Sequence, residues 1–176
     1  DLAVILSNFQ RHGIQRPAIA AVLAWDQPDM MSFASLEAKL ASFPSVTMAA
    51  PLSRGAVPET MPAAFRRASI SLDNVLGDRG ALPVVNRVPV SGAILGGDNC
   101  AAGFQSIDSE NGGIHPPMLA RWEDRVVFAF PLVAAMQHLT VSPEQVEVRL
   151  GEWVKLGAKG PTLPIDRFGR LIMPLP

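Results

Sequence analysis

The chain has 176 residues, of which 48% are apolar and 18% charged, and a formal net charge of −1 at pH 7. That length suits one domain, able to bury roughly 70% of the surface its unfolded chain exposes. With acidic and basic residues interspersed and no basic run longer than Arg66-Arg67, there is no electrostatic footprint for nucleic acid or an anionic lipid surface.

So apolar a composition predicts surface that meets a partner or a further piece of chain. A single cysteine, Cys100, cannot form an internal disulfide and leaves the redox compartment open. The longest apolar windows, residues 18–25 and 126–136, fall short of the ~20 residues that span a bilayer. Asp1 opens neither on Met nor on a signal-peptide pattern, so the chain is expected to be a piece of a longer protein.

Taken in order, Leu2, Ile5, Leu6 and Phe9 recur at helical spacing after Asp1, and Gly13 supplies a stop. Residues 18–25 (AIAAVLAW) form a continuous apolar run ended by Asp26-Gln27-Pro28-Asp29, as in a central parallel strand covered on both faces. A helical stripe of Phe33, Leu36, Leu40 and Phe43, with Ser32 as its cap, then leads through Pro44 to a second apolar strand over 45–50. Helix, strand, helix, strand predicts right-handed parallel units, with a strand before the first helix absent.

Pro62 suits the first turn of a helix running to about Ser69. A loop-rich stretch follows, with a strand-like segment over 84–90. Beyond it the pattern predicts a strand over 103–107, a hairpin of 117–121 with 125–128 turning at Trp122-Glu123-Asp124, and a helix over 131–139. Strict alternation then places Val146, Val148, Leu150, Val154 and Leu156 on one face of a second hairpin. A turn at 166–169 and a short strand over 170–173 close the chain. The fold class is therefore α/β: parallel βαβ-type units followed by antiparallel strands in a mixed sheet with flanking helices.

The residues offer little chemistry. His12, His115 and His138 lie far apart with no second ligand at a metal-binding spacing; His138 reads as a cation at a helix C-terminus. There is no nucleophile elbow, no dinucleotide fingerprint and no phosphate loop, so neither metal nor cofactor is expected. Asp26 and Asp29 stand just past an apolar strand, where open α/β sheets hold ligands, and with Arg54 they form the candidate ligand-binding set. The competing reading makes the aspartates caps of the turn or of the next helix. Asp108 and Asp166 read as turn residues, and Trp122 and Trp153 as partly exposed packing residues.

Several segments together are similar to a known family. They are the helix and strand of 33–52, Ile107-Asp108 leading through Gly112-Gly113 to Pro117-Met118-Leu119, Val127-Phe128-Ala129-Phe130-Pro131-Leu132, and Pro164-Ile165-Asp166-Arg167-Phe168-Gly169-Arg170-Leu171. In this order they resemble the second class of CHASE domain, an extracytoplasmic sensory domain of bacterial cyclases, histidine kinases and Ser/Thr kinases. Two departures stand out: His115-Pro116 replaces basic residues before the "PL" strand, and the family's opening strand is missing.

The resemblance implies a non-enzymatic sensory input domain on the periplasmic or extracellular side of a membrane. Such a domain recognises a small-molecule or protein stimulus, is anchored through segments outside this chain, and is open to homodimerisation. Two other classes stand beside it: a structural or interaction module with no ligand, and a hydrolase or transferase built on Asp26, Asp29 and one histidine.

Overall fold

Parallel strands with helical crossovers need a sheet covered on two faces, and the first half of the chain builds one. The computed structural model describes residues 2–23, 29–90, 96–107 and 116–173. Helix α1 (Leu2–Arg11) leads to β1 (Ala18–Val22), α2 (Met30–Ala41) to β2 (Val46–Leu52), and β5 (Cys100–Ile107) completes a parallel sheet in the order β1-β2-β5. Gly13, at φ 75°, turns the chain out of α1, as its position predicts.

The second strand, not the first, is central. Six of the seven β2 residues are buried, whereas β1 lies at the edge and buries only Ile19. The run at 18–25 reads as central because apolarity predicts burial and alanine counts as apolar. Four of the five β1 residues are in fact alanine or valine left open to solvent, and small side chains carry little burial energy either way.

On one face α1 and α2 close over Val46, Met48, Ile19 and Cys100 with Leu6, Leu36, Leu40 and Phe43, giving a small separate core. On the other face α3 (Ala63–Arg67) and α4 (Phe130–Leu139) pack against β5, and α4 also against β2. Gly103 permits that approach: a Cβ there would stand 2.5 Å from the Phe130 Cα and 2.7 Å from its nitrogen.

The other strand pairs among the described residues are antiparallel apart from one. β3 (Ile70–Ser71), β7 (Arg125–Phe128) and β6 (Leu119–Trp122) form one sheet, and β10 (Thr162–Pro164), β9 (Trp153–Leu156), β8 (Val146–Arg149) and β4 (Val75–Leu76) another. The exception is β4, which runs parallel to β8. A bridge between Phe104 and Ala129 joins the parallel sheet to the end of β7. The architecture is mixed α/β with flanking helices, as the sequence predicts.

Both hairpins form where expected, and Glu123 turns the first at φ 54°. Three details differ. Residues 84–90 form no strand; Val84 and Arg87 make single bridges to Arg121 and Ser53. The closing strand reduces to bridges at Arg170 and Leu171. Trp122 is fully buried against Phe65, at 6.2 Å between ring centroids, because the short turn places it on the inner side of β6.

Candidate functional site

The C-terminal edge of the parallel sheet is where sequence reasoning places a ligand. Asp26 lies outside the described residues. Asp29 is the N-cap of α2: its carboxylate accepts from the Ser32 hydroxyl at 2.7 Å and the Ser32 amide at 3.1 Å. Those two bonds, hydroxyl first, hold the Asp29 carboxyl below the ordinary carboxylate range. Ser32, expected as the cap, is thus the capped residue, and Asp29 fills the structural role weighed against ligand binding.

Arg54 follows β2 and is exposed, and no hydrogen bond or ion pair joins it to Asp29 among the described residues. The loop that carries it is clasped. Asn86 accepts from the Gly55 amide at 2.7 Å and donates to the Gly55 carbonyl at 2.8 Å, while Glu59 accepts from the Val88 amide at 3.3 Å. The Arg87 side chain packs on Gly55, where a Cβ would stand 2.4 Å from the Arg87 Cδ and push that side chain aside. Among the described residues no side chain is hydrogen-bonded or ion-paired to Arg54.

Polar groups converge instead at the opposite edge, where β1 and β2 begin and α4 ends. Thr47, fully buried in β2, donates its hydroxyl to Gln137 Oε1, and Gln137 Nε2 donates to Ser45 Oγ at 2.7 Å. Arg16, just ahead of β1, donates through one terminal nitrogen to the Gln137 carbonyl at 3.0 Å and to Thr140 Oγ1 at 2.8 Å. A positive side chain at this helix end offsets the negative pole of the α4 dipole.

Thr140 ends α4 in the left-handed conformation, φ 57° and ψ 40°. Few β-branched residues adopt it, at a cost of roughly 1–3 kcal/mol. Beside these groups lies a groove of about 340 Å³ lined by Arg16, Pro44, Ser45, Met136, Gln137 and neighbouring residues. A second of about 340 Å³ lies across Thr140 and Val141 and reaches Gln145 and Lys159.

No local sequence pattern marks Arg16, Ser45, Gln137 or Thr140 as a site. The available signal was indirect: Thr47 is the one polar residue in the apolar strand VTMAAPL, and Gln137 interrupts the apolar helix FPLVAAMQHL.

Neither His12 nor His138 is bonded to Asp29. His12 and His138 are exposed, one after α1 and one in the last turn of α4, and His115 lies outside the described residues. No cluster of three or more metal-binding side chains occurs among the described residues, and no helix among them is long and apolar enough to cross a membrane. No family model, curated protein or solved structure matches this chain.

Three of the stretches that carry the resemblance meet, while Asp108 and Gly112-Gly113 lie outside the described residues. The Met118 amide donates to the Gly169 carbonyl at 2.8 Å, the Leu171 amide to Pro116 at 3.1 Å, and the Ala129 amide to Met118 at 2.9 Å. Asp166 Oδ1 accepts from the amides of Phe168 and Arg170, each at 2.9 Å. Arg167 and Arg170 flank the Phe168 ring at 4.6 and 5.3 Å.

Proposed function

We propose that this chain is the extracytoplasmic sensory input domain of a bacterial membrane signalling receptor. The observation that supports the reading is the meeting of Pro117-Met118-Leu119, the hairpin leading into α4, and the Pro164–Leu171 turn in one hydrogen-bonded assembly. The Pro164–Leu171 turn, distant in sequence from that hairpin, occupies the same place in the fold. In a sensor, a stimulus acts by binding two conformations unequally and shifting their populations. The test is made on the full-length gene product. Reporter fusions are expected to place this domain outside the cytoplasm, joined through a membrane span to a cyclase or kinase. A cytoplasmic position, or a product with no signalling module, overturns the reading.

A second reading, an interaction module without a ligand, is favoured by the open β1 edge together with the exposed Val4 and Ile5 of α1. Light scattering of the chain combined with thermal melts against small molecules separates the two. A stable dimer indifferent to every compound favours the interaction module.

A further inference from the structure

We infer that the groove between Arg16, Ser45 and the end of α4 is a binding site for a small organic carboxylate. The argument begins with what Arg16 leaves unused. Its one bonded terminal nitrogen spends both protons, on the Gln137 carbonyl and Thr140 Oγ1. The Nε and second terminal nitrogen keep three N–H groups, with no protein acceptor among the described residues. That edge of a guanidinium is the fork that matches a carboxylate in two parallel hydrogen bonds. Among the described residues no acidic side chain lines the groove or pairs with Arg16.

The surrounding groups fit the rest of such a molecule. Ser45 Oγ accepts from Gln137, which leaves its own proton free to donate to a second ligand oxygen. Met136, Val141 and Pro44 give the groove apolar wall for a short carbon chain. Two carbonyls in the last turn of α4 are already satisfied: Met136 by the Val141 amide at 2.9 Å, and Gln137 by the Thr140 amide and Arg16. Neither of these two carbonyls needs a donor from a ligand. At about 340 Å³ the groove is at the small end of ligand sites and suits a molecule of amino-acid size. The left-handed Thr140 holds its hydroxyl on Arg16 and so fixes the direction of the fork.

As the ligand class of a sensor, this inference rests on the sensory reading; as a binding event, it is measured on the chain itself. Calorimetric titration with L-glutamate, succinate and pyruvate, and with inorganic phosphate as a non-carboxylate anion, tests it. At least one carboxylate is expected to bind saturably, with a Kd at or below about 1 mM. Arg16→Lys keeps the charge but loses the fork, and Ser45→Ala removes one donor. Both are expected to fold with unchanged circular dichroism, and Arg16→Lys to weaken binding roughly tenfold or more.

No saturable binding of any carboxylate, binding of phosphate alone, or binding undiminished in a folded Arg16→Lys overturns the site. Failure of the sensory reading appears elsewhere, as a cytoplasmic location or an effector unmoved by a carboxylate that does bind.

Discussion

Thr47 and Gln137 are bonded to each other across the interface between the central strand and the last helix, Thr47 donating its hydroxyl to Gln137 Oε1. Thr47 is wholly shielded from water, so its hydroxyl has no substitute acceptor in solvent. Gln137→Ala is expected to destabilise the fold by roughly 1–3 kcal/mol, the cost of an unsatisfied buried polar group. Thr47→Val, which removes the demand along with the donor, should cost less. Urea unfolding of both variants gives the comparison, and a Gln137→Ala midpoint equal to wild type contradicts it.

The approach of Gly103 to Phe130 makes a second position sensitive. Gly103→Ala places a methyl group where the backbone of α4 already stands, and neither backbone can yield without shifting helix or sheet. A loss of about 1–3 kcal/mol is expected, the range for overpacking a filled core, although alanine suits a strand no worse than glycine. Thermal unfolding measures it.

Asp166 serves its turn through one oxygen that takes two amides. Asp166→Ala is expected to cost roughly 1–2 kcal/mol, as for loss of a capping side chain, and Asp166→Asn less, since an amide oxygen still accepts. Faster hydrogen exchange at the amides of Phe168 and Arg170 would locate the damage, and unchanged exchange there would argue against this role.

Cys100 carries a pH dependence. Burial pushes its thiol above the ordinary value, with the Gly97 backbone and the Arg67 charge opposing more weakly. The folded state therefore keeps the proton after the unfolded chain has begun to lose it. Folding stability is unaffected below the unfolded thiol pKa of about 8.5 and falls as pH rises above it. Unfolding titrations of wild type and Cys100→Ala across this range should run parallel in neutral solution and diverge in alkali, with wild type losing more.

Thr140→Gly relieves a left-handed β-branched residue but removes the hydroxyl that Arg16 grips. The exchange is expected to raise stability by up to about 1 kcal/mol while weakening carboxylate binding. A stability gain bought with lost binding is the usual mark of strain kept for function.

The fold was legible wherever periodicity was strong. The stripe of Leu36, Leu40 and Phe43 and the alternation of Val146, Val148, Val154 and Leu156 predict their elements, because burial is what generates such patterns. The rank of β1 was not legible, since AIAAV looks equally apolar at a centre or an edge. The short strands β3 and β4 escaped notice because two residues carry no period, and β4 owes its existence to a partner, β8, far along the chain.

The candidate site was the least visible. Asp29 and Arg54 drew attention through their position after strands, and Asp29 proved to be spent on a helix cap. Arg16, Ser45 and Gln137 meet only through the packing of α4 on the sheet, a juxtaposition no local spacing encodes.

The sheet order β1-β2-β5 has a kinetic side. Strand β2 finds β1 through a short local crossover, but its other partner arrives only after the whole span from Ser53 to Asn99 has been threaded back. Closing so long a loop is an entropic cost met before any contact repays it. The half-formed sheet must therefore wait with one edge of its most buried strand uncovered, and changes within that span should act on the speed of folding as well as on its equilibrium.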